Sequence, residues 1–106
     1  MARSKLASRK RSEISRDHID RYIATTKEAL GKVRVAAPER SHNHKLAQDF
    51  LTMARSYFED AVHFAGAGDL VNALSCVNYA HGWLDAGART GLFDVGGDER
   101  LFTLAE

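Results

Sequence analysis

Residues 68–89 read GDLVNALSCVNYAHGWLDAGAR, a segment that is apolar, aromatic or small around most of a helical circumference. Polar groups interrupt that surface at only a few points. A helix of this kind is packed on more than one side, and neighbours must be found for it elsewhere in the chain. On a helical wheel Leu70, Ala73, Leu74, Val77, Ala80, Leu84 and Ala88 share one side, with Cys76, Tyr79 and Trp83 round the back. Gly82 and Gly87 each cost ~1 kcal/mol against alanine inside a helix, so the close passage of another backbone is expected there. Gly91 suits the terminator, with Leu92 or Phe93 folding back onto the last turn.

Working back from this helix, Gly66-Ala67-Gly68 and then Asp69 make a stop and a cap, which predicts a tight antiparallel hairpin with the helix before it. That second helix opens at Pro38, or one turn later with Ser41 as its cap. Its stripe is broad: Leu46, Phe50, Met53, Ala54, Tyr57, Ala61 and Phe64, widened by Leu51 and Phe58. The first helix is capped by Ser15, with Asp17 favouring the helix dipole and Ile14 able to staple onto Ile19. Ile19, Tyr22, Ile23, Thr26, Leu30 and Val33 form its single narrow stripe, and it ends before Pro38. The expected fold is all-α: a three-helix antiparallel bundle over 14–93, with helices at about 15–36, 38–65 and 69–90. A disordered basic arm, 1–13, precedes it and an acidic and apolar tail, 94–106, follows. No strand pattern is evident.

A chain of 106 residues is one domain that can bury a core without metal or disulfide staples. The single cysteine, Cys76, excludes an internal disulfide, fits a reducing cytoplasm and reads as a small buried core residue. No apolar run approaches the ~20 residues of a membrane span. The opening MARSKLASRKRS has the basic start of a secretory signal without its apolar stretch, though it shares the Arg- and Ser-rich make-up of transit peptides. Net charge is +1 but unevenly spread. Arg3, Lys5, Arg9, Lys10 and Arg11 precede the first acidic residue, Glu13, while Asp94, Asp98, Glu99 and Glu106 dominate the end.

The stretch ARSYFEDAVHFAGAGDLVNALSCVNYAHGWLDAGARTGLF, residues 54–93, resembles an archaeal family of small helical proteins known as domain of unknown function 357. The pattern runs A-x-S-Y-x-x-D-A-x-x-F, a Gly-Asp turn, then A-x-x-x-x-N-Y-A-H-G-x-L-D-A. Tyr57, Asp60, Ala61, Phe64, Gly68 and Asp69 match it, as does the string from Asn78 to Gly82 followed by Leu84, Asp85 and Ala86. The resemblance implies a three-helix bundle in an archaeal cytoplasm and brings no activity. It would also remove the transit-peptide reading.

Asn78, His81 and Asp85 fall on one edge of the third helix at three- and four-residue steps, and Arg89 follows Asp85 by four. Such a set is either a polar pocket with His81 as an acid–base group or ligand, or a buried network that fixes helix register. The expectation is the network, with His81 bonded to Asp85 or to a side chain of helix 1 or 2. One imidazole and one carboxylate are too few for a metal site. His42 and His44 read as surface histidines, and Asp60 with His63 as a solvated face. No phosphate-cradling loop or nucleophile elbow is present, and neither His63 nor His81 has the upstream arginine spacing of small helical ribonucleases. No catalytic residue, cofactor or metal is therefore expected.

Three roles remain open at this stage. Tyr79 and Trp83 are either buried by a wide third helix or form an incompletely covered patch for a protein partner or self-association. The arm, through Arg3, Lys5, Arg9, Lys10 and Arg11, is either a solubilising tail or a salt-dependent, sequence-independent nucleic-acid contact. The segment ERLFTLAE is either a docking peptide or a strap across the bundle. The favoured function is a non-enzymatic cytoplasmic protein-interaction module or small homo-oligomer, binding through Tyr79, Trp83 and the neighbouring Asn78–His81–Asp85 edge of the third helix. A nucleic-acid accessory protein is the alternative, and a small enzyme or ligand-binding protein using His81 and Asp85 comes third.

Overall fold

The computed structural model describes residues 12–102, so the expected contacts of Arg3, Lys5, Arg9, Lys10 and Arg11 lie outside the described residues. Three helices dominate: α1 (Arg16–Lys32), α2 (His42–Gly66) and α3 (Leu70–Arg89). Two short strands, β1 (Arg34–Val35) and β2 (Phe93–Asp94), pair antiparallel with Arg34 opposite Asp94 and Val35 opposite Phe93. The architecture is an all-α bundle.

Each helix begins on a side-chain cap. The Ser15, Ser41 and Asp69 side chains accept from the backbone N–H groups of His18, His44 and Asn72, at 3.1, 3.0 and 3.1 Å. These bonds satisfy donors that the first turn leaves without an intrahelical partner. Asp69 also accepts from the Asn72 side-chain amide, and that bond, ahead of the backbone one, holds its carboxyl below the usual range. α2 ends where Gly68 adopts a left-handed φ of +81° and the Asp69 N–H bonds back to the Phe64 carbonyl at 2.9 Å. A glycine is suited to that turn because a Cβ is strained there.

Ile19 packs with Ala73, and Thr26 meets His81, so α1 and α3 run in the same direction with α2 reversed between them. At the far end the Arg16 guanidinium donates to the Ala65 carbonyl at 2.7 Å, closing the start of α1 on the end of α2. The larger core cluster lies at the opposite end. There Ala29, Ala47 and Ala54 leave room for Leu101, Phe93 and Phe102, which pack with Leu51, Leu84, Leu92 and Val95.

Several expectations are corrected here. α1 stops at Lys32 and not near residue 36, because Arg34-Val35 leaves the helix to pair with β2. Of the two starts expected for α2 the later one holds: it begins at His42 with Ser41 as cap, while Pro38 sits in the preceding turn and its carbonyl accepts from the Ser41 N–H. Tyr22, placed in the α1 stripe, is 40% exposed at its edge. Cys76 is half-buried and not in the core. Residues 94–102 are no appended tail, since Val95, Leu101 and Phe102 are core residues. No backbone passes close to Gly82, where a Cβ would meet nothing within 4 Å, and at Gly87 the close neighbour is the Phe93 ring.

Candidate functional site

The polar centre of the molecule is the His81 imidazole. Its Nε2 lies 2.7 Å from the Leu101 carbonyl oxygen and its Nδ1 lies 3.0 Å from the Thr26 hydroxyl. A carbonyl can only accept, so Nε2 carries the proton. In the neutral ring the Thr26 hydroxyl then donates to Nδ1. Phe102 stacks over the ring with centroids 6.3 Å apart and planes 30° from parallel. Asp85 sits one turn further along α3, its Oδ1 3.8 Å from His81 Nε2. His81 thus joins α1, α3 and the C-terminal segment at one point.

That segment is held from outside as well. Asp98 receives the Lys32 ammonium at 2.8 Å and the backbone N–H groups of Arg100 and Leu101, and the lysine bond above all lowers its carboxyl's pKa. The Arg100 guanidinium donates to Glu28. The Arg100–Glu28 pair is largely solvent-facing and positions the segment more than it stabilises it, whereas the Asp98 side chain is mostly covered in its pair with Lys32. The burial comes from Leu101 and Phe102.

Beside His81, a cleft of about 350 Å³ opens between α1 and α3. Tyr22, Thr25 and Thr26 form the α1 wall, and Val77, Asn78, His81, Gly82 and Asp85 form the α3 wall. Three members of the expected polar set, Asn78, His81 and Asp85, therefore share one cleft. Arg89 does not line it. Thr26 completes the His81 site as a side chain of the first helix, one of the partners expected, whereas the Leu101 carbonyl was not anticipated; the local signal for Thr26 was a threonine placed within the apolar stripe of α1.

The other face of α3 carries aromatic rings. Tyr79 and Trp83 each lie two residues from His81, about 160° around the helix and so away from α1. Phe50 meets Trp83 edge-on at 5.0 Å, Trp83 meets Tyr79 at 6.1 Å, and Tyr79 meets Tyr57 at 4.5 Å and 88°. Tyr79 is 51% exposed and Trp83 half-buried, with the indole N–H buried without a hydrogen-bond partner. Neither full burial nor a bare patch describes this row; α2 covers one side of it.

Elsewhere His44 Nδ1 donates to the Ala37 carbonyl at 3.3 Å while His42 is exposed. Among the described residues no three His, Cys, Asp or Glu side chains gather as a metal site would require, and no helix is long and apolar enough to cross a membrane.

A family model described as "Protein of unknown function (DUF357)" matches residues 21–93, and the chain belongs to that family. The match reaches back into α1, whereas the resemblance read from the residues begins at position 54. No curated protein and no solved structure matches.

Proposed function

We propose that this DUF357 member is a non-enzymatic protein-interaction module, docking a protein partner or a second copy of itself on the aromatic row of α2 and α3. The observation that carries the reading is Tyr79: half its surface meets solvent although its ring contacts both Tyr57 and Trp83. Tyrosine and tryptophan together supply large, stiff contact area with few torsions to freeze, the composition that dominates binding hot spots. The row lies away from α1, with Tyr79 exposed and Phe50, Tyr57 and Trp83 each partly covered. His81 supports the same reading from the other side, because both its ring nitrogens are engaged in holding the bundle. The nucleic-acid alternative rests on the composition of the arm alone. The single thiol suits a reducing cytoplasm, archaeal by the resemblance.

The test is light scattering of the full chain together with affinity capture, each repeated with Tyr79→Lys. The proposal expects either a mass that is a multiple of one chain or a captured protein, lost in the variant while circular dichroism and Tm stay unchanged. A monomer whose captured partners do not depend on Tyr79 contradicts it.

A further inference from the structure

Gly82 is a helix-interior glycine that no neighbour requires. A Cβ there would meet nothing within 4 Å, so alanine would be accommodated and would favour the helix. What the missing side chain does is widen the cleft between α1 and α3, which Gly82 lines. Gly87 differs, since the Phe93 ring packs directly onto it.

The groups around that space select a chemistry. No lysine or arginine lines it, and its one carboxylate belongs to Asp85. Asn78 and Thr25 add acceptor oxygens at the rim. The His81 nitrogens are already engaged with Leu101 and Thr26. Tyr22, 40% exposed and with its ring also against His18 at 4.4 Å between centroids, lies on the α1 wall, and Gly82 and Val77 lie on the α3 wall. A carboxylate with no lysine or arginine on the walls favours a cation, and a tyrosine ring on the facing wall favours a flat apolar body. The volume lies in the lower part of the range of roughly 300–1,000 Å³ typical of small-molecule sites.

We propose that this cleft binds a small organic amine with a flat apolar body, its ammonium group directed at Asp85, Asn78 and Thr25 and its body held between Tyr22 and Gly82. Asp85 already takes part in contacts within the protein, including its approach to His81. The amine therefore joins an existing set. The site lies on the α1 side of α3, and its occupation is independent of docking on the aromatic row.

The test uses the ¹⁵N-labelled full chain titrated with tyramine, followed by backbone amide shifts. 4-Hydroxyphenylacetate, with the same ring and the opposite charge, is the control. Tyramine should produce saturable shifts at Asn78, Gly82 and Asp85, and the carboxylate should not. Asp85→Asn should weaken tyramine at least five-fold. Gly82→Leu should abolish binding and Gly82→Ala weaken it several-fold, with Tm unchanged or raised in the alanine variant. No saturable shift with tyramine, equal binding of the carboxylate, or undiminished binding in a folded Gly82 variant would overturn the proposal.

Discussion

His81 Nε2 lies 2.7 Å from the carbonyl oxygen of Leu101, twenty residues downstream, and this bond closes the C-terminal segment over the bundle. Because the same ring also meets Thr26, fifty-five residues upstream, one side chain registers three distant pieces of chain. Registration of this kind is costly to lose, since each partner would be left wholly or partly buried without its bond.

The two glycines of α3 should respond to alanine in opposite directions. Gly87→Ala drives a methyl group into the Phe93 ring, an overpacking cost of about 1–3 kcal/mol that outweighs the helix-propensity gain. Gly82→Ala meets no neighbour and should gain up to about 1 kcal/mol. Urea unfolding of both variants decides this, and equal effects would refute the packing described.

Removing the Phe102 ring should be expensive although it lies near the end of the described chain. Phe102 is 3% exposed and sits in the main core cluster with Leu84 and Ala47. Phe102→Ala should cost about 3–5 kcal/mol, a large part of the 5–15 kcal/mol typical of a domain. A loss below about 1 kcal/mol in thermal or urea unfolding would show that the segment does not contribute to the core.

Much of this bundle was legible because its signals are local. Ser15, Ser41 and Asp69 announce helix starts by chemistry within one turn, and Ala73, Val77, Ala80 and Leu84 reveal the buried side of α3 by spacing alone. The early end of α1 was not legible, since it depends on Val35 finding Phe93 almost sixty positions away. The same holds for the His81 site: Asn78 and Asp85 are helical neighbours and could be read, whereas Thr26 and Leu101 reach the imidazole only through the tertiary fold. The three alanines 29, 47 and 54 were a missed hint. Small residues aligned on two helices leave a space, and Leu101 and Phe102 fill it.

Acid should loosen the C-terminal segment. The Lys32 bond, foremost, lowers the Asp98 carboxyl in the folded state, so its contribution is fully present above the unfolded carboxylate value of about 3.9 and is lost as pH falls through the lower folded value. Stability should therefore rise with pH in the acid range below about 4, and Asp98→Asn should flatten that rise. Tm measured against pH for both chains tests it; parallel curves would contradict it.

Cys76 should react slowly. Burial, then the nearby Asp60 and Asp69 charges, push its thiol up, and only the thiolate attacks an alkylating reagent. Iodoacetamide near pH 8 should modify the native chain more slowly than the urea-unfolded one, with the gap narrowing as pH rises. Equal rates would mean that the thiol stands open to solvent.

The central claim is that His81 binds α1 to α3 and the C-terminal segment, and a double-mutant cycle between Thr26→Val and His81→Ala, read by urea unfolding, tests it most directly. The account predicts a loss of about 2–3 kcal/mol for His81→Ala and about 1–2 kcal/mol for Thr26→Val, with the double variant falling short of their sum by about 1 kcal/mol. Losses that add within about 0.3 kcal/mol, or a His81→Ala chain as stable as the parent, would contradict it.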